Sequence, residues 1–152
     1  MGKETETETE MKVRISLEVI ERNNPMMPSS NSRMMMSGVL AKRGTGYLVS
    51  YDEDVTEDHL DTDRTKVYLH LTPDRVMMMR EGSFSTTLVF ARKQHYEGSY
   101  NTPFGEMPIS VQTRDVVCVL GEKAGNMHLE YEISIGGQDP LYRIMNLYYD
   151  EE

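Results

Sequence analysis

The chain has 152 residues, a single cysteine, no tryptophan and a formal net charge of −9. This length suits one domain with a hydrophobic core of its own, and a lone cysteine rules out a disulfide within the chain. An acidic chain is poorly suited to bind a nucleic-acid backbone or an anionic membrane surface, and no apolar stretch approaches the about 20 residues of a membrane-spanning helix.

The first residues, MGKETETETE, contain almost nothing apolar. Their alternation of Thr and Glu has the period of a strand but offers no side chains to bury, so we predict a disordered acidic tail over residues 1–10. The segment also lacks the apolar core of a signal peptide. We therefore expect a cytoplasmic protein, monomeric or homodimeric, whose residues 11–150 form a single domain.

From residue 11 onward, apolar and polar side chains alternate along most of the chain. Val13, Ile15 and Leu17 alternate with Arg14 and Ser16, and a period of two places the two sets on opposite faces of a strand. Short segments rich in Gly, Pro, Asn and Asp separate the alternating runs. In chain order, strands are predicted over residues 11–21, 33–42, 46–52, 65–71, 75–80, 84–92, 95–101, 106–120, 127–135 and 141–150.

Two of the predicted connections are long. Residues 23–32 are rich in Asn, Pro and Ser, which is typical of a loop. Residues 52–63 are rich in Asp and Glu, whose oxygens suit Ca²⁺, but they lack the glycine and the terminal glutamate spacing of an EF-hand loop. A solvated acidic loop is therefore favoured over a calcium site.

The strand predicted over 106–120 carries two local signals. Its alternation changes phase at Val116 and Val117, which predicts a bulge or bend near Arg114–Val116. Cys118 lies among apolar neighbours, which predicts a buried, unreactive thiol. Just before this strand, residues 102–105 read TPFG, with Pro and Gly at the positions they favour in a type I turn.

Methionine occurs in two runs, at 34–36 and at 77–79. Thioethers bind soft metals such as Cu(I). Successive side chains of a strand point to opposite faces, however, so such a run cannot converge on one ion. We expect both runs to fill the core instead.

Nine or ten strands in sequence, joined mostly by short turns, predict an all-β fold without a long helix. Strands of this number form either two packed sheets or an up-and-down barrel. We predict a single antiparallel up-and-down barrel of about 8–10 strands, because closure removes the exposed strand edges that a long meander would leave.

Several segments of the chain form a recognisable pattern: Tyr51–Glu53, Arg80 with Gly82, Leu88–Phe90, Tyr100 leading into Thr102–Gly105, Thr113, and Leu129–Tyr131. In these segments the chain resembles the YwiB-like family of bacterial proteins, and the similarity extends over about residues 11–147. The resemblance implies a calycin-like β-barrel, related in shape to lipocalins and fatty-acid-binding proteins. It implies no assigned activity.

No catalytic motif can be read from the chain. The four histidines, His59, His70, His95 and His128, show no metal-binding spacing, and neither a P-loop nor a Gly-x-Ser-x-Gly element is present. His70 and His128 fall on the polar phase of their strands, which faces either solvent or the lumen. We therefore predict a protein without catalytic residues, metal ligands or cofactors.

Arg80 is the charged residue that stands out, because it ends an otherwise apolar strand of Val and Met. If it points inward it needs a carboxylate partner, for which Glu53 and Asp115 are candidates, since an unpaired buried charge is costly. An internal ion pair or a surface charge at the strand end is the favoured interpretation. Inside a barrel, Arg80 could instead bind a ligand carboxylate or phosphate by a bidentate contact. Together with residues of the family resemblance, the predicted ligand contacts are Arg80, Glu53, Tyr51, Tyr100 and Thr113.

Two functions follow from different assumptions about the lumen. A barrel of this size has room for one small, partly apolar or anionic ligand. Alternatively, the many Met, Tyr and Leu side chains fill the lumen, and the protein is a non-catalytic interaction or structural protein. The first alternative predicts a small-molecule partner, and neither predicts nucleic acid or a membrane as a partner.

Overall fold

The computed structural model describes residues 10–23, 26, 28–53 and 65–152. These residues form ten strands, and no helix among them is long and apolar enough to cross a membrane. The strands are β1 (Glu10–Arg22), β2 (Ser30–Arg43), β3 (Gly46–Glu53), β4 (Thr65–Thr72), β5 (Arg75–Glu81), β6 (Ser85–Ala91), β7 (His95–Thr102), β8 (Gly105–Val119), β9 (Ala124–Ile135) and β10 (Leu141–Glu151).

The strands close into one antiparallel barrel in which every strand pairs with its neighbours along the chain. The remaining pair, β1 with β10, joins the two ends of the meander over a register that runs from Val13 opposite Glu151 to Arg22 opposite Tyr142. Closure leaves no edge strand exposed along this seam. The prediction of a single up-and-down barrel is confirmed.

The alternating pattern sets which side chains face the barrel axis. On β1, Val13, Ile15 and Leu17 are buried, and on β4 the inward positions are Val67, Leu69 and Leu71, while intervening residues are more exposed. Large rings also lie inside: the rings of Phe90 and Tyr131 pack with centroids 4.7 Å apart. Because these side chains come from strands around the whole barrel, the interior is a packed hydrophobic core.

The strand limits differ from the prediction mainly where the chain is polar. β2 begins at Ser30, so the last residues of the predicted 23–32 loop belong to a strand, paired with β1. β9 begins at Ala124. Residues with a low strand propensity extend both strands, because the neighbouring strand supplies hydrogen-bond partners that local composition does not reveal. β1 begins at Glu10, and the rest of the predicted tail lies outside the described residues, as does most of the acidic 52–63 segment.

The structure confirms the bulge on β8, the burial of Cys118 and a turn at residues 102–105. The register between β8 and β9 shifts between Thr113 and Asp115, so Arg114 is the extra residue of a bulge. Cys118 is buried. β7 and β8 are joined by a two-residue turn in which the Thr102 hydroxyl accepts a hydrogen bond from the Phe104 N–H at 3.0 Å and Gly105 has a φ of 126°.

The methionine runs fill the core only in part. Met78 is buried and Met36 packs against the core, but Met35 is 72% exposed. The expectation that both runs fill the core is therefore wrong for Met35 and for Met34, which is 37% exposed. For Met35 the cause is the period of two, which turns every second side chain of a run to the outer face.

Candidate functional site

Arg80 shares the inward phase of Val76 and Met78 on β5, and it pairs with Glu53 at the end of β3. Its Nη1 and Nη2 donate to the two carboxylate oxygens at 2.5 and 3.2 Å, which is a bidentate pair. The Arg80 side chain is 32% exposed and the Glu53 side chain is 16% exposed, so the pair lies at one end of the barrel rather than deep within it. Glu53 is thus the partner of Arg80. Asp115, the other candidate, pairs with Arg92.

A second inward pair lies at the same end of the barrel. Arg143 of β10 bonds Glu21 of β1, with Nε donating at 2.8 Å, and its Nη1 donates to the Tyr131 hydroxyl at 3.4 Å. Burial raises the pKa of Tyr131, against the opposite effects of the nearby Arg143 and Arg80. The Arg80–Glu53 and Arg143–Glu21 pairs therefore lie at the same end of the barrel, near the buried Tyr131.

The other predicted ligand contacts differ in their surroundings. Tyr51 is buried, and its pKa is raised to about 12, mainly by burial and then by the charge of Glu53. Tyr100 is half-buried, with its ring 5.9 Å from that of Phe84. Thr113 is 1% exposed, and its Oγ1 has no hydrogen-bond partner in the described part of the chain. Only Tyr51, Glu53 and Arg80 are shown to interact with one another.

Four cavities lined by described residues are grooves open to solvent. Their volumes are about 260, 450, 510 and 440 Å³. The last of these contains one predicted ligand contact, Arg80, which lines it together with Thr86, Tyr96 and Ser99. β6 and β7 pair only at Ser85 with Asn101 and at Thr86 with Tyr100. Beyond these pairs the Tyr96 hydroxyl donates to the Thr87 carbonyl at 2.9 Å, so the Tyr96 side chain forms part of the groove wall.

Sequence reasoning missed a cluster on the outer face of β8 and β9. Asp115, His128 and Glu130 each offer a potential metal-ligating atom, and these atoms all lie within 4.8 Å of one another. His128 Nε2 lies 2.8 Å from a carboxylate oxygen of Glu130, and Nδ1 lies 2.6 Å from the amide oxygen of Asn146. The His-x-Glu spacing on a strand was the signal available, since it places both side chains on one face.

The pKa of His128 reflects these contacts. Partial burial lowers it, but hydrogen bonds to Asn146 and Glu130, together with the negative charges of Glu130 and Asp115, outweigh burial and raise the pKa above its usual value. The contacts of His128 therefore favour the protonated imidazolium over the neutral ring. His70 lies on the outer phase of β4, opposite to Leu69 and Leu71, but its Nε2 is buried and has no hydrogen-bond partner among the described residues.

Comparison with known proteins places the chain among barrels of the same shape. The family model described as "Domain of unknown function (DUF1934)" matches residues 13–147. The "Uncharacterized beta-barrel protein YwiB" of Bacillus subtilis (strain 168) is 22% identical over 109 residues, which span 72% of each chain. The crystal structure of the ywiB protein from Bacillus subtilis superposes with a TM-score of 0.83 and 16% identity, covering 99% of each chain. At that identity, the structural likeness shows the fold alone.

Proposed function

The chain belongs to the DUF1934 family, whose model spans nearly all of the barrel, and we propose that it is a non-catalytic interaction protein built on a side-chain-filled barrel. The observation that carries this proposal is the packed interior. Buried side chains fill the barrel along its axis, among them Tyr131, Tyr149 and Phe90 at under 2% exposure. A lumen filled in this way leaves recognition to the outer surface.

The outer surface carries a row of exposed apolar side chains that would suit a protein partner. Ser16 pairs with both Met35 and Tyr148, and Asn126 pairs with both Tyr148 and Val119. The row formed by Met35, Tyr148 and Val119 therefore crosses β2, β1, β10, β9 and β8. The exposure of these three residues is 72%, 54% and 61%. Clustered exposed apolar side chains favour protein contacts.

The experiment is site-specific photo-crosslinking in living cells with the crosslinker at position 35. The proposal predicts a covalent adduct to one protein, which is a second copy of the chain if the protein is a homodimer. Position 97 provides the control, because Glu97 lies on the exposed face of β7, away from the row. Equal adduct patterns at positions 35 and 97 would refute the interaction surface.

A second candidate function is the binding of a small, partly apolar anion in the groove beside Arg80. The groove supports it because Arg80 lines a volume of about 440 Å³ and uses two of its N–H donors on Glu53, while a guanidinium has five. The calycin-like resemblance points the same way. Native mass spectrometry of gently purified protein should then show an adduct that Arg80→Met abolishes while the variant stays folded.

The calycin relationship and the cytoplasmic location remain predictions.

A further inference from the structure

We propose that Asp115, His128 and Glu130 form a binding site for a divalent transition-metal ion of the Zn²⁺ class on the outer face of β8 and β9. The proposal departs from the absence of metal ligands predicted above. One imidazole and two carboxylates are a donor set that Zn²⁺ and its neighbours accept, whereas Mg²⁺ and Ca²⁺ prefer oxygen alone.

The distances permit a shared ion. Ligand atoms at about 2.0–2.2 Å from a zinc ion lie at most about 4.4 Å from one another. The three atoms here already lie within 4.8 Å of one another, so small side-chain rotations bring them onto one ion. The side chains of His128 and Glu130 are about one-third exposed, which gives an ion access from solvent.

The surroundings of His128 argue independently for a cation between it and Glu130. Asn146 directs its amide nitrogen to a carboxylate oxygen of Glu18 at 3.3 Å, which turns its amide oxygen toward His128 Nδ1. Nδ1 must therefore carry the hydrogen, and Nε2 faces the Glu130 carboxylate at 2.8 Å. The lone pair of Nε2 and the carboxylate oxygen of Glu130 are both acceptors, and they repel each other unless a proton or a metal ion lies between them.

The bulge on β8 supplies the third ligand. Thr113 and Val116 both face the core, and Arg114 is the extra residue of the bulge between them. Asp115 therefore points to the outer face, where it lies opposite Glu130. Without the bulge, continued alternation from Thr113 would turn Asp115 inward. Bulges commonly redirect a side chain in this way.

Arg92 limits the site without blocking it. Its Nε donates to Asp115 Oδ1 at 2.9 Å, and the Val116 N–H also reaches that oxygen at 3.1 Å, which leaves Oδ2 for a metal ion. Three protein ligands leave a fourth position of a tetrahedral ion open to water or to a further ligand. The arrangement resembles an open site more than a closed structural one.

The chain contains a matched control. His95 and Glu97 on β7 repeat the His-x-Glu spacing, with His95 Nε2 2.9 Å from Glu97 and Nδ1 3.3 Å from the Gln112 side chain. Among the described residues, no third His, Cys, Asp or Glu side chain lies close enough to His95 and Glu97 to complete a metal site. His95→Gln should therefore leave metal binding unchanged, while His128→Gln should abolish it.

The experiment is a titration of the full chain, free of any affinity tag, with ZnCl₂ by calorimetry and with CoCl₂ by visible absorption. We expect one ion per chain and a tetrahedral or five-coordinate Co²⁺ spectrum. Asp115→Asn should weaken binding at least tenfold, and Asn146→Ala should weaken it by about 10- to 100-fold through the lost outer-shell bond. Unfolding curves would show that each variant is folded, and Asp115→Asn stands in if His128→Gln fails to fold.

Two results would overturn the proposal. One is the absence of a saturable Zn²⁺ or Co²⁺ site in the wild type, which would leave the proton as the only cation between His128 and Glu130. The other is binding that is equal in the wild type, His128→Gln and Asp115→Asn, which would place the bound ion elsewhere in the chain.

Discussion

Replacing Arg80 by methionine removes the positive charge of the inward pair and keeps most of the apolar stem. Glu53 is then left without its bidentate partner, with its side chain only 16% exposed. Two unit charges about 4 Å apart interact by about 4 kcal/mol at the effective dielectric of protein sites, and breaking a fully buried pair costs about 3–5 kcal/mol. Because Arg80 remains one-third exposed, solvent screening reduces this, and we expect a loss of about 1–3 kcal/mol.

The measurements are urea unfolding and thermal unfolding at neutral pH, each followed by far-UV circular dichroism. Since the chain has about 150 residues, a loss of 1 kcal/mol corresponds to a drop in Tm of about 2–4 °C. The double variant Arg80→Met with Glu53→Gln should recover part of the loss, because it no longer leaves a charge unpaired.

The control is Arg14→Met, which breaks an exposed pair with Asp150 at 3.4 Å. Exposed pairs contribute about 0–1 kcal/mol, so this variant should unfold nearly as the wild type does. Equal losses in Arg80→Met and Arg14→Met, or no recovery in the double variant, would refute the conclusion that the Arg80–Glu53 pair is a partly buried structural pair.

Three further predictions concern single groups. Burial, with a smaller effect of Asp74, raises the pKa of Cys118 from 9.0 to about 11. A thiol reagent at neutral pH should therefore label native protein about 100-fold more slowly than unfolded protein, and similar rates would contradict the burial of Cys118. Pro103→Ala should lower stability by about 0.4–1 kcal/mol and Gly105→Val, at a φ of 126°, by about 1–3 kcal/mol, and unchanged melting temperatures would show that the turn is not needed for stability. The pKa of Tyr51 is raised to about 12 in the folded protein, whereas the phenol ionises from about pH 10 in the unfolded chain. Between pH 10 and 12, the free energy of unfolding of the wild type should therefore fall by up to about 1.4 kcal/mol per pH unit more than that of Tyr51→Phe. Equal slopes for the two proteins in urea titrations would refute this prediction.

The strands of this protein could be predicted because their signal is local. A period of two is visible within a few residues, and ten alternating runs joined by short turns already favour a barrel. The phase change at Val116 and Val117 predicted a bulge or bend near Arg114–Val116 for the same reason, since a bulge shifts the alternation on its own strand. The register of β8 with β9 then places it at Arg114.

The partner of Arg80 could not be predicted, because the choice depends on register between strands. Glu53 pairs with Thr65 on β4, and Arg80 pairs with Val67, so the two charges lie near each other across β4. Asp115 was an equal candidate in the sequence, but the bulge turns it to the outer face, where it meets Arg92.

Whether the lumen is open was likewise decided by three-dimensional packing. Alternation shows that Phe90 and Tyr131 point inward but not that their rings meet. The outer cluster depends on the pairing of β8 with β9 and of β9 with β10, which brings Asp115 and Asn146 to His128. Local periodicity determines the face of a strand on which a side chain lies, whereas barrel closure and strand register determine its neighbours, and the chemistry of a site depends on those neighbours.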